Sequence, residues 1–193
     1  QYQDELQAIS ELSDIKLSKL SLLQLIYEAE ATCTCCLFHD EAGIPIHGRT
    51  LDWDLEFLHP LTVNFNFISK GEIVCYGVSW VGYVGLLTGL KPNQFSISVN
   101  FRETEHGWFW NNLVSAYKKA WPIGFLVRDT LTHSSSYQSA FSSLTNSPLI
   151  APTYFCLAGT ERGEGVLITR ERNSHLQPLF LKRRQEGEED RKG

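Results

Sequence analysis

The sequence of 193 residues lacks methionine and lacks any long apolar run. It begins Gln1-Tyr2-Gln3-Asp4, without the charged and then apolar segment of a secretory signal, so we expect a processed form or a piece of a longer chain. No apolar stretch approaches the roughly 18 residues that a membrane-spanning helix requires. With 42% hydrophobic residues the chain can bury a substantial core, and we expect one globular domain rather than an integral membrane protein.

Positive charge is also scarce. Lysine and arginine total 17 against 22 acidic residues, which gives a formal net charge of −5 and an isoelectric point near 5.7. Binding to a phosphate backbone needs a basic surface, and no basic stripe occurs before the last dozen residues, so we expect no nucleic-acid partner. Those last residues, 182–193, contain five basic and four acidic side chains and are predicted to be a charged, disordered tail.

Cysteine is too sparse for a disulfide scaffold, and its odd count leaves at least one thiol unpaired. The five cysteines are Cys33, Cys35, Cys36, Cys75 and Cys156. A metal site is a weaker interpretation, because adjacent cysteines on a strand point to opposite faces. It would draw on Cys35, Cys36, His39 and His47. We therefore predict no metal and no cofactor, and we expect Cys75 and Cys156, which lie within predicted strands, to be core thiols.

Residues 4–30 carry a helical period with a plausible break at Ser13-Asp14, which predicts two helices. Ordinary core-facing helices are the favoured interpretation. The alternative is that the leucine-rich second helix makes a peripheral contact with lipid aggregates or a membrane surface.

The rest of the chain switches between strand and helix periods. Strands are predicted at residues 61–69, 72–80, 94–100, 153–159 and 165–169, and helices at residues 108–120, 122–133 and 137–144. Antiparallel hairpins with segregated helices indicate an α+β layered architecture. Gly82, Gly85 and Gly89 are predicted to lie where nothing larger than glycine fits, as at a bulge or next to a ligand.

Residues 33–53 contain two short apolar runs separated by the tetrapeptide Asp40-Glu41-Ala42-Gly43, a pattern typical of a β-hairpin. The hairpin would place Cys33 at the open end of its first strand and bring Arg49 and Asp52 near the corresponding end of the second. Because alternation puts residues 49 and 52 on opposite faces, their convergence on the thiol needs a bulge or the end of the strand. An ion pair between Arg49 and Asp52 is the alternative.

This stretch resembles the family of acid ceramidase and N-acylethanolamine acid amidase, which are N-terminal-nucleophile hydrolases. The family pattern reads Cys-Thr-Ser, then His-Gly-Arg-Asn and Asp, and this chain departs from it at Cys35, Cys36 and Thr50. The positions that it keeps are Cys33, Thr34, His47, Gly48, Arg49 and Asp52. Residues 81–100 also resemble the family's Gly-Tyr-Val-Gly, Leu-Thr-Gly and Lys-Pro segment, and the resemblance ends at about Leu181.

The resemblance implies an incomplete form of the family's four-layer αββα sandwich. It divides the chain into a helical segment like the family's α subunit (residues 1–32), a partial catalytic domain (33–181) and the charged tail (182–193). Self-cleavage between Thr32 and Cys33 would free the nucleophile and leave an α/β heterodimer. The implied activity is hydrolysis of a fatty-acyl amide, ceramide or N-acylethanolamine, through a thioester, and the implied location is the lysosome.

Roles for individual residues follow from the same resemblance. Cys33 would be the nucleophile, since its own α-amine, with a pKa near 8, can take the thiol proton. Asp52 would hold that amine, and Arg49 would orient the substrate carbonyl and stabilise developing negative charge. We predict substrate contacts from Trp53, Tyr83 and Phe101.

Two departures favour a second hypothesis, a catalytically inactive chain that at most binds lipid or another subunit. Where the family has Glu in an Asn/Asp-Glu-Arg triplet, this chain has Phe101. The family's Thr-Asn-Tyr-Asp segment, which supplies its oxyanion hole, does not occur in this sequence.

Overall fold

The computed structural model describes residues 2–26, 32–52, 54–102 and 120–181. Four helices are present in these ranges, with nine strands and a 3₁₀ helix at Glu56–Leu61. The helices are α1 (Tyr2–Ser13), α2 (Leu17–Leu23), α3 (Ile123–His133) and α4 (Tyr137–Asn146). The strands are β1 (Thr32–His39), β2 (Pro45–Asp52), β3 (Thr62–Ser69), β4 (Glu72–Trp80), β5 (Thr88–Lys91), β6 (Phe95–Phe101), β7 (Thr153–Gly159), β8 (Gly165–Arg170) and β9 (Leu179–Phe180).

Seven strands form one antiparallel sheet in the order β3-β4-β5-β6-β7-β8-β9, in which each strand pairs with its neighbours in the chain. Two of its turns use left-handed backbone conformations, at Gly71 (φ 85°) and Gly163 (φ 81°). Glycine adopts this region without a steric penalty, which is why these short connections reverse the chain. A second sheet contains β1 and β2, joined through Gly43 (φ 81°).

The large sheet lies between two different layers. On one face, α3 packs against β4, β5 and β6, and α4 packs against β7 and β8. On the other face lies the β1–β2 hairpin, with β1 against β6, β7 and β8. The described residues therefore form helix, sheet and sheet layers, in agreement with the predicted α+β layered architecture.

The main apolar core lies between the large sheet and the helices. Ile97 and Val99 of β6 and Phe155 of β7 are fully buried there, against Leu126 and Leu131 of α3. Because side chains alternate along a strand, the residues between them face the hairpin instead. Those residues are polar on β6, so the layer under the hairpin differs in chemistry from the core under the helices.

Two arginines fix the helices to the sheet. Arg128 of α3 donates two hydrogen bonds to the carboxylate of Glu5 in α1, at 2.6 and 2.7 Å, and its guanidinium also packs over the ring of Phe67. Arg170 of β8 is fully buried and donates to the carbonyls of Leu144 and Ser147 at the end of α4. Burial lowers the pKa of Arg170 to about 10, while these carbonyls satisfy its donors.

Most predicted elements are confirmed within the described residues. The two N-terminal helices, the hairpin at 33–53, the hairpin at 61–80, the helices after residue 122 and the last two long strands all occur. Gly89 lies as predicted at a close approach, since a Cβ atom there would be 2.6 Å from Leu131 Cδ1. The sequence did not predict β5, β9 or the 3₁₀ helix, because these elements are too short to show a clear period. The predicted helix at 108–120 and the tail at 182–193 lie outside the described residues, apart from residue 120.

Candidate active site

The register of the β1–β2 hairpin decides which of its side chains meet. Cys33 lies opposite Leu51, Cys35 opposite Arg49 and Leu37 opposite His47. Directly opposed residues share a face, and every second residue returns to it, so these six side chains all point towards the large sheet. Asp52 is paired with Thr32 in the register, and its side chain belongs to the outer face.

Arg49 makes the contact that joins the hairpin to the thiol. One terminal nitrogen of its guanidinium donates to Cys33 Sγ at 3.2 Å and to the carbonyl of Val99 at 3.2 Å. The other donates to Thr88 Oγ1 at 2.9 Å. Among the described residues no carboxylate forms a salt bridge with Arg49, and its buried Nε has no hydrogen-bond partner. A positive charge without a neighbouring anion therefore lies beside the sulfur.

Asn100 also contacts Cys33. Its side-chain amide donates to the carbonyl of Cys33 at 3.3 Å, and the hydroxyl of Thr153 donates to the main-chain carbonyl of Asn100 at 2.9 Å. The side-chain oxygen of Asn100 is buried and has no partner within the described ranges. Sequence reasoning missed this residue as a contributor to the site. The signal was the alternation of Ser96, Ser98 and Asn100, which predicts a polar face on β6.

Asp52 is exposed on the outer face, where its carboxylate accepts hydrogen bonds from Thr50 Oγ1 at 2.9 Å and from Thr34 Oγ1 at 3.4 Å. The pairing of β1 with β2 is regular, without the bulge that would turn this side chain inward. The structure thus brings Cys33 and Arg49 together but leaves Asp52 on the opposite face. The alternative ion pair between Arg49 and Asp52 is not formed either.

An apolar cavity of about 290 Å³ adjoins the guanidinium. Arg49 and Thr88 supply polar groups to its wall, and most of the other lining residues are aliphatic or aromatic. The lining residues are Arg49, Leu51, Leu55, Leu58, His59, Thr62, Val78, Ser79, Trp80, Leu87 and Thr88. Leu51, the cross-strand neighbour of Cys33, brings this wall next to the thiol.

The three predicted substrate contacts have different outcomes. Trp53 lies outside the described residues. Tyr83 is buried on the helical side, where its ring packs against Trp80 and its hydroxyl lies over Gly124, so it does not line the cavity. Phe101 shares the face of β6 that packs against the helices. Both described side chains pack in or against the apolar core.

The cysteine-rich start of β1 divides between the two faces of the strand. Cys33 and Cys35 are half-buried on the inner face, and Cys36 is exposed on the outer face. Cys33 and Cys36 are separated by two residues, a spacing that favours zinc in a turn, but on a strand their thiols point apart. Within the described part of the chain, no group of three potential metal ligands comes together.

No helix among the described residues is both long enough and apolar enough to cross a membrane. A leucine-rich surface is nevertheless present on the N-terminal helices, since Leu20 is buried whereas Leu12, Leu22 and Leu23 are exposed.

Comparison with curated proteins finds relatives of this chain, although no family model matches it. The N-acylethanolamine-hydrolyzing acid amidase of Mus musculus is 40% identical over 173 residues, which cover 89% of this chain and 47% of that protein. The acid ceramidase of Pan troglodytes is 36% identical over 200 residues, covering 95% of this chain and 51% of that protein. The chain thus spans about half the length of these curated relatives.

A solved structure agrees with the sequence relatives. The N-acylethanolamine-hydrolyzing acid amidase ortholog of Caenorhabditis elegans matches with a TM-score of 0.70 and 30% identity, covering 79% of this chain and 64% of that one. Sequence and fold therefore lead to one conclusion: the chain is related to the family of acid ceramidases and N-acylethanolamine-hydrolyzing acid amidases.

Proposed function

We propose that the protein hydrolyses fatty-acyl amides, ceramide or N-acylethanolamine, to a free fatty acid and an amino alcohol through a thioester at Cys33. The observation that carries this proposal is the 3.2 Å hydrogen bond from Arg49 to Cys33 Sγ, beside an apolar cavity of about 290 Å³. A thiol, a cation without a salt-bridge partner and an apolar cavity suit an amide with a long acyl chain.

The first step of the proposal is self-cleavage. Cys33 Sγ attacks the carbonyl carbon of Thr32, its proton passes to the departing nitrogen, and the peptide bond is exchanged for a thioester. Water then hydrolyses the thioester, so that a carboxylate ends one chain and a free cysteine begins the next. Asn100 contributes by holding the carbonyl of Cys33 in place, which fixes the strand end during attack.

Asp52 fits the same sequence of events. It lies opposite Thr32 in the hairpin register, on the face where it does not meet the thiol. Scission removes Thr32 from β1 and makes Cys33 the first residue of the strand. Its new amine then lies next to the place that Thr32 occupied, opposite Asp52. The carboxylate would then hold the amine in its charged form, and the amine would exchange protons with the thiol.

During turnover the freed Cys33 would attack the amide carbonyl of the lipid. Arg49 donates to the oxygen on which negative charge develops, since its charge has no carboxylate partner in the described ranges. The aliphatic wall that includes Leu51, Leu58 and Leu87 would receive the acyl chain. A lysosomal location follows from the resemblance, and we expect activity at mildly acidic pH.

The exposed leucines of α1 and α2 support a peripheral contact with lipid aggregates. Leu12 is 89% exposed and Leu22 is 70% exposed, so these apolar side chains lie on the surface of the described structure. A substrate that resides in a bilayer would be extracted next to such a surface.

A second candidate is a catalytically inactive family member that at most binds lipid or another subunit. The outward position of Asp52 favours it, because only two of the three expected groups meet in the intact chain. It predicts a chain that co-sediments with phospholipid vesicles but remains uncleaved.

Intact-mass spectrometry at mildly acidic pH separates the two candidates. The proposal expects scission between Thr32 and Cys33, and then an acyl adduct on the Cys33 fragment when ceramide or an N-acylethanolamine is added. Cys33→Ala should abolish both, whereas Cys36→Ser, at an exposed thiol on the opposite face, should behave like the parent chain. A parent chain that stays uncleaved and inert, or turnover that persists in Cys33→Ala, would refute the amidase.

A further inference from the structure

A second polar cluster lies between the hairpin and the large sheet, two residues along β1 from the proposed nucleophile. His47 Nδ1 is 2.8 Å from Ser96 Oγ, and its Nε2 is 2.8 Å from Ser98 Oγ and 3.5 Å from Cys35 Sγ. Ser98 also donates a hydrogen bond to Cys35 Sγ at 3.4 Å. An imidazole and a hydroxyl thus contact one thiol in a half-buried site.

A second thiol completes the cluster. Cys156 on β7 is 4% exposed and lies directly opposite Ser98, the residue whose hydroxyl donates to Cys35 Sγ. The proximity of Cys156, with the hydrogen bonds from His47 and Ser98, holds the pKa of the Cys35 thiol well below its ordinary value, although burial opposes the effect. The proximity of Cys35 and burial raise the pKa of Cys156. Cys35 is therefore the more readily deprotonated of the two thiols.

Both thiols open onto a cavity. Its volume is about 440 Å³, and it lies between β1 and the strands β7, β8 and β9. The residues around it are Cys35, Leu37, Asn100, Tyr154, Cys156, Leu167, Leu179, Phe180 and Leu181. Neither Cys33 nor Arg49 lines it, so this space is distinct from the cavity beside the proposed nucleophile.

We propose that Cys35 and Cys156 form a reactive dithiol site, which takes a small, apolar, low-molecular-weight disulfide from this cavity and becomes an intramolecular disulfide. The Cys35 thiolate attacks one sulfur of the reagent R–S–S–R, a Cys35–S–S–R bond forms, and R–S⁻ leaves. The Cys156 thiol gives its proton to that thiolate and attacks Cys35 Sγ, which releases the second R–S⁻. Two protein thiols are oxidised and one disulfide is reduced to two R–SH, once a solvent proton is added.

The roles of the two thiols follow from their surroundings. Cys35 attacks first because its sulfur contacts His47 and Ser98 and because it is the less buried of the two. Cys156 resolves the mixed disulfide because it lines the same cavity and lies opposite Ser98, which contacts Cys35. The new bond would join β1 to β7 two residues from Cys33. This site does not depend on the amidase proposal, since none of its steps uses Cys33.

A stoichiometric titration with 4,4′-dithiodipyridine tests the site. The background protein is the intact chain with Cys33→Ala and Cys36→Ser, which removes the other two accessible thiols. Cys75 stays in place as an internal control, because it is buried in the core. We expect rapid release of two thiopyridone molecules per chain, no retained adduct, and a mass lower by two hydrogens. Peptide mapping should then find residues 35 and 156 cross-linked.

Single substitutions in that background separate the two roles. Cys156→Ser should release one thiopyridone and retain one adduct on Cys35, whereas Cys35→Ser should release none in the same time. Serine at position 35 also matches the family pattern Cys-Thr-Ser, so this variant is expected to fold, and thermal unfolding followed by circular dichroism checks it. His47→Gln should slow the first release roughly tenfold, while His39→Gln, at a half-buried histidine that ends β1, should leave it unchanged.

Several outcomes would overturn the proposal. One is a background protein that keeps an adduct instead of losing two hydrogens. Another is Cys156→Ser without an adduct on Cys35, provided that the variant shows the parent's unfolding transition. Reaction of Cys75 at the same rate as the pair would also contradict it, because the reagent would then be reporting unfolding.

Discussion

Cys33 and Cys35 lie two residues apart on the same face of β1, yet different groups contact their sulfur atoms. Cys33 receives a hydrogen bond from the guanidinium of Arg49, whose charge has no salt-bridge partner among the described residues. Cys35 contacts an imidazole and a hydroxyl, and it shares a cavity with a second thiol, Cys156. The difference arises below the hairpin, because each thiol meets a different part of the large sheet.

The comparison shows how a short strand can carry two chemistries. A permanent cation next to Cys33 suits the stabilisation of negative charge on an oxygen. A neighbouring thiol next to Cys35 suits the exchange of disulfides. Substitutions that affect one thiol without the other are therefore the direct way to test whether the two sites are independent.

The largest expected effect is that of Arg49→Ala. Removing a donor to the developing oxyanion costs on the order of 100- to 1000-fold in rate, so we expect losses of this size in kcat/KM for lipid amides. Arg49→Lys should give an intermediate loss, because an ammonium keeps the charge but cannot contact Cys33, Thr88 and Val99 together. Titration with dithiodipyridine should still show the Cys35–Cys156 reaction.

Arg102 provides a matched control for that variant. It lies just beyond β6 and forms a salt bridge with Glu171 at 2.5 Å, away from both thiols. Arg102→Lys should change kcat/KM by less than about threefold. If Arg49→Ala abolished the dithiol reaction as well, the two sites would not be independent.

The next effect tests the support that the sheet gives to Arg49. A Cβ atom at Gly89 would lie 2.6 Å from Leu131 Cδ1 and 2.7 Å from the carbonyl of Tyr76, so Gly89→Ala forces β5 to move. We expect a loss of about 1–3 kcal/mol in the free energy of unfolding, measured with urea. Because Thr88 is on the same strand, the Cys33 site should lose activity while the dithiol site reacts normally.

Gly48→Ala serves as the comparison for Gly89→Ala. Gly48 lies between His47 and Arg49, but its Cβ position has no atom within 4 Å. The free energy of unfolding should therefore change by no more than about 0.5 kcal/mol. If both alanines lowered the free energy of unfolding equally, the close contact at Gly89 would not be the cause of the loss in Gly89→Ala.

The sequence predicted the hairpins because their turns carry local signals, such as the acidic tetrapeptide that ends at Gly43 and the pair Lys70-Gly71. Alternation also placed Arg49 and Asp52 on opposite faces, although we expected a bulge or the strand end to bring both side chains to the thiol. The structure keeps that alternation. Arg49 therefore meets Cys33, but Asp52 does not join them. Local rules were thus reliable for elements and faces.

Contacts between layers could not be read from the sequence. Asn100 meets Cys33 across 67 positions, and Cys156, on a strand far along the chain, lines the same cavity as Cys35. Periodicity shows that a residue points towards a neighbouring layer, but it does not show which residue of that layer it meets. Tyr83 and Phe101 illustrate this limit. We predicted that both contact substrate, whereas in the structure both pack in or against the core beneath the helices.

The smallest effect concerns Thr88, whose hydroxyl accepts a hydrogen bond from Arg49 at 2.9 Å. Thr88→Val keeps the shape of the side chain and removes this acceptor, which costs about 1 kcal/mol, or about fivefold in kcat/KM. Thr132→Val is the control, because the hydroxyl of Thr132 bonds to its own helix at the carbonyl of Arg128. A kcat/KM for Thr88→Val equal to that of this control would mean that Cys33 and Val99 alone position the guanidinium. A loss as large as that of Arg49→Ala would mean that the position of the guanidinium, and not only its charge, sets the rate.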